Sequence, residues 1–164
     1  MFVKFKKLSV ATGGAICALY ALGALGISPA WAGEAPDWKT KDGTIPVTVT
    51  LKSITKTEGP IYVSIQTREN YRSMKGFGGV LSELTLGDIT QTFKVERPGN
   101  YAVSVWHDLD DDGRFSMTED YKILDGWGAS GNAPEDREPT FDDVQIKVDE
   151  SGATVPVEMR YPAN

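Results

Sequence analysis

Asp108-Leu-Asp-Asp-Asp-Gly-Arg-Phe-Ser-Met-Thr-Glu119 sets its acidic residues at the spacing of a twelve-residue calcium-coordinating loop. Asp108, Asp110 and Asp112 take positions one, three and five, with Gly113 at six, Ser116 at nine and Glu119 at twelve. A calcium ion needs six to eight hard oxygen ligands. Such a loop supplies them with alternating carboxylates, a sharp turn at glycine, one backbone carbonyl and a closing bidentate Glu. The carbonyl would come from Arg114, and Phe115 stands where these loops carry an apolar anchor that tucks against the protein body. The flanks are unusual for such a site, because Tyr101-Ala-Val-Ser-Val-Trp-His107 alternates like a strand where an EF-hand needs a helix. Two readings therefore stand side by side. In one the loop binds calcium. In the other it is a solvated acidic hairpin stiffened by Asx-type bonds from the aspartates to nearby amides.

Catalytic chemistry has little to work with. His107 is the single histidine, so a zinc site built from several His is excluded, and a chain without Cys beyond the N-terminal segment offers no thiolate. His107 and Asp108 are neighbours, so on a strand they point to opposite faces and cannot form the His–carboxylate pair of a hydrolytic triad. The expected role of His107 is to orient the acidic loop through a hydrogen bond. A hydrolase using two of the many carboxylates remains a third-ranked reading, with no pair singled out. Aromatic residues offer another route: Trp106 and Trp127 bracket the acidic loop and could form a platform for a sugar or an apolar ligand. Each has a plainer alternative, Trp106 in a second buried face and Trp127 plugging its loop onto the sandwich.

Compartment and charge narrow the classes further. Lys4, Lys6 and Lys7, an apolar run from about Leu8 to Ile27, and Ala30-Trp31-Ala32 read as a signal peptide cleaved before Gly33, in preference to an uncleaved anchor. Cys17 lies inside that run after Ile16, which does not suit a lipid attachment site. Loss of residues 1–32 removes three lysines and no acid, leaving 14 basic against 23 acidic side chains. A chain this acidic repels nucleic acid and anionic lipid and tolerates divalent cations. Without disulfides, the exported fold must stand on its core, and about 132 residues suffice for one domain.

The elements that would hold these residues are strands. After a loose arm over 33–44, Val47, Val49 and Leu51 alternate with polar residues, as do Ile61, Val63 and Ile65, with Gly59-Pro60 between; these read as neighbouring antiparallel strands. Ile89–Val95, Tyr101–His107, Phe141–Val148 and Ala153–Tyr161 follow, and a seventh strand is expected around Tyr121–Leu124. Pro156 places the last strand at a sheet edge or makes it a strand start. Arg68–Gly87 and Asp125–Pro139 read as long loops. The sum is a single all-β antiparallel sandwich of about seven strands over 45–164.

Pro98-Gly99-x-Tyr101-Ala102-Val103, His107-Asp108-x-Asp110-x-Asp112-Gly113, Gly126-x-Gly128-x-Ser130 and Pro139-x-Phe141-x-Asp143 together resemble a group of exported bacterial proteins, domain-of-unknown-function family 2141. The resemblance spans roughly Tyr62 to Tyr161. It implies a small secreted β-sandwich, transthyretin-like or carboxypeptidase-regulatory-like in look, with no established activity or substrate. The family pattern more often has Asn at the second and third ligand positions and a Gly-Ile-Pro and a Glu before Gly126. Tyr121-Lys-Ile-Leu-Asp125 departs from it, while Asp110 and Asp112 make this loop more acidic. The resulting expectation is a non-enzymatic, periplasmic or secreted protein with calcium at Asp108, Asp110, Asp112, Arg114, Ser116 and Glu119. The alternative is a carbohydrate- or peptide-binding module using Trp127.

Overall fold

A computed structural model describes residues 43–73, 76–119, 122–134 and 137–163. The signal-peptide reading of residues 1–32 and most of the arm over 33–44 lie outside the described residues. The arm's last two residues are bound to the sheet, since Gly43 is buried and the Thr44 amide donates to the Val95 carbonyl at 3.1 Å. Among the described residues no helix is long and apolar enough to cross a membrane.

The all-β sandwich expected from alternation is the architecture found. Its strands are β1 Ile45–Ile54, β2 Ile61–Gln66, β3 Phe77–Leu81, β4 Gly87–Val95, β5 Gly99–His107, β6 Gly126–Ala129, β7 Gln145–Val148 and β8 Ala153–Glu158, with one helical turn, α1 Phe141–Val144. One sheet has the order β4-β1-β8; the other has the order β3-β2-β5-β6, with β7 also on β5. Alternation in β1 turns Val47, Val49 and Leu51 inward against Val63, Ile65, Val103 and Val105 of the opposite sheet. Ser53, at φ 60, sits in a bulge between the Leu51–Ile89 and Ile54–Gly87 pairs. The extra residue flips the parity, which is why Ile54 rather than Ser53 is buried.

Three expectations about the elements need correction. β1 and β2 are not neighbours. They lie in opposite sheets, because period-two alternation reports that a strand has one buried face but not which strand lies beside it. β1 instead pairs antiparallel with β4 and parallel with β8, the one parallel pairing among the described strands. Second, both supposed long loops contain a strand. β6 runs through Gly126-Trp-Gly-Ala where small residues masked the pattern, and at 122–124 there is only an isolated Met117–Ile123 bridge. Gly128 is required here: a Cβ would lie 2.8 Å from the Glu158 carbonyl oxygen and 2.8 Å from Val157 Cγ1. Third, Phe141–Val148 is not a continuous strand. Asp143 accepts from the Thr140 amide at 2.7 Å, starting the turn of α1. Phe141 and Val144, three apart, then bury against Ala102 on the outer face of the larger sheet. Pro156 is exposed on edge strand β8, where its missing N–H costs no ladder bond.

β5 organises the larger sheet by changing partner midway. Gly99–Ala102 pairs with β7 and Ser104–His107 with β6. Ser130 fills the gap at Val103: its hydroxyl accepts from the Val103 amide at 2.9 Å and donates to the Val144 carbonyl, and its amide donates to the Val103 carbonyl at 2.9 Å. Beyond β8 the chain crosses sheets, with Trp127 and Arg160 exchanging backbone bonds of 2.9 and 2.7 Å. That end of β5 and β6, clasped by the C-terminal segment, carries the candidate site.

Candidate metal centre

β5 delivers His107 and Asp108 to the rim of the sandwich, both fully buried. The Asp108 amide continues the pairing by donating to the Pro60 carbonyl at 3.0 Å. Gly59 makes the approach feasible, with φ +67 and a position where a Cβ would come within 1.7 Å of the Asp108 carbonyl oxygen. The loop then curls around the Asp108 carboxylate, which accepts from the Asp112 amide at 3.2 Å and the Gly113 amide at 2.9 Å. Asp112 accepts from the Arg114 amide at 2.8 Å, and Gly113 takes a φ of 75° at the turn. Phe115 is buried and meets the Trp106 ring edge-on, at 6.3 Å between centroids, so the loop's apolar residue does anchor it to the sheet.

Asp125 is the residue that reasoning from spacing missed. It precedes β6 and is 1% exposed, and its carboxylate accepts from the Leu109 amide at 3.1 Å, the Ser116 amide at 2.8 Å and Trp106 Nε1 at 3.0 Å. It thereby ties both limbs of the acidic loop to the strand beneath. Carboxylate oxygens of Asp108, Asp110 and Asp125 lie within 4.8 Å of one another. Asp112 and Glu119 are not in that group; both are exposed, as is Arg114, while Ser116 is half-buried. Burial pushes the Asp108 carboxyl above its ordinary value, and the nearby negative charges of Asp125 and Asp112 push in the same direction against the amide hydrogen bonds.

His107 does not orient the loop. Its Nε2 donates to the Glu58 carbonyl at 2.8 Å, which leaves Nδ1 to accept from the Tyr161 hydroxyl at 3.0 Å, so it ties the β1–β2 connection to the C-terminal segment. Burial lowers its affinity for a proton below that of an ordinary histidine, and burial likewise raises the Tyr161 hydroxyl to about 12. Trp106 and Trp127 form one register pair across β5 and β6, and Tyr62 on β2 pairs with Trp106 from the other side. Trp106 belongs to a second buried face: it is 9% exposed and stacked on Tyr62 with 4.6 Å between centroids. Trp127 is half-buried with the Arg160 guanidinium 4.6 Å above its ring.

The family described as "Uncharacterized protein conserved in bacteria (DUF2141)" matches residues 49–156, from within β1 to within β8. The chain belongs to this family. No curated protein and no solved structure matches it. In this DUF2141 chain the match takes in the whole acidic loop and Asp125. A signal for Asp125 was present in the sequence, as an acid directly before Gly126. It was hidden because a residue outside the loop has no fixed spacing to it.

Proposed function

We propose that this DUF2141 protein is a non-enzymatic exported β-sandwich whose acidic loop holds a calcium ion in a structural role. Asp108 and Asp110 come from the loop and Asp125 takes the closing position that spacing gave to Glu119. The observation that carries this reading is the convergence of three carboxylates within 4.8 Å, two of them buried, with Asp108 and Asp110 from a loop of calcium-type spacing and Asp125 from the residue before β6. Like charges held this close repel one another unless a cation joins them. Oxygen-only donors at the end of a strand suit a hard cation. The Arg114 carbonyl, the Ser116 hydroxyl, the Asp112 carboxylate and water are the remaining donors available to complete the shell. A site of extracellular type, with Kd about 10⁻⁴ to 10⁻³ M, is sufficient outside the cytoplasm. Export itself rests on the charge, apolar run and Ala-x-Ala ending of residues 1–32.

The alternative of a carbohydrate- or peptide-binding module on Trp127 has less support, since Tyr62 and Phe115 cover Trp106 and Arg160 sits over Trp127. Calorimetric titration of the protein from Gly33 onward with calcium and then magnesium tests the proposal. Calcium heat that Asp110→Ala abolishes and Glu119→Ala leaves intact is the expected result. Equal responses to calcium, magnesium and monovalent salt at matched ionic strength would mean that the aspartates are only being screened.

A further inference from the structure

We draw no further inference here: the strongest candidate, the row of side chains on the outer face of the larger sheet that runs from Trp127 through Trp106 and Tyr62 to Val80, which is 47% exposed, carries nothing because the structure does not show what covers it.

Discussion

Replacing Asp125 by Asn changes one oxygen to an NH2 group in a site that has only donors to offer. The carboxylate accepts three N–H groups, with Ser116 N and Trp106 Nε1 on one oxygen and Leu109 N on the other. The least costly orientation of Asn keeps its oxygen toward Ser116 and Trp106 and turns its NH2 against the Leu109 amide. An unsatisfied buried donor costs about 1–3 kcal/mol, and the two surviving bonds lose the assistance of charge, about 1 kcal/mol each. Leu109 is only half-buried, which favours the lower end, and removal of a charge beside Asp108 offsets part of the loss. The net expectation in chelator is about 2–3 kcal/mol, or roughly 8–12 °C in Tm for a domain of this size. With calcium at about ten times Kd the parent gains about 1.4 kcal/mol that the variant does not, so the gap widens by that amount. Urea unfolding followed by tryptophan fluorescence, in chelator and in calcium, measures both quantities. A loss below about 0.5 kcal/mol in chelator would refute the hydrogen-bonding argument. A gap of equal size in both conditions would remove Asp125 from the ion's ligands while leaving it as the anchor of the loop.

Gly59→Ala combines a positive φ with a Cβ 1.7 Å from the Asp108 carbonyl oxygen; destabilisation of at least about 2 kcal/mol and a weakened calcium response are expected, and unchanged unfolding would show that the 55–60 connection moves freely. His107 takes up a proton less readily when folded than its ordinary 6.5. The unfolded chain therefore binds more protons in the interval between the two values. His107 leaves stability intact above about pH 6.5 and reduces it as pH falls through the folded value. In unfolding measured from pH 8 to 5, His107→Gln should flatten that slope, and an identical slope in the variant would assign it to other groups. Exported protein should give an intact mass beginning at Gly33, whereas a product that retains Cys17 would overturn the reading of residues 1–32 as a cleaved signal peptide.

Much of this protein was legible along the chain because its information is local. Alternation in Val47-Thr-Val-Thr-Leu51 and Ile61-Tyr-Val-Ser-Ile65 announces strands with one buried face, since side chains two apart share a side of the pleat. Aspartates at 108, 110 and 112 followed by Gly113 announce an acidic turn, because short polar side chains bond nearby amides and glycine accepts a positive φ. Strand neighbours are another matter: they depend on which surfaces meet across tens of residues, so β1 found β8 in parallel and β2 found β5. β3 and β6 escaped notice because their glycines carry no hydrophobic pattern; in β6, Gly128 is glycine so that Glu158 and Val157 can approach. The same reason separates the two versions of the site. Loop spacing nominated Glu119, but only the pairing of β5 with β6 brings Asp125, seventeen residues beyond Asp108, to the carboxylates it joins.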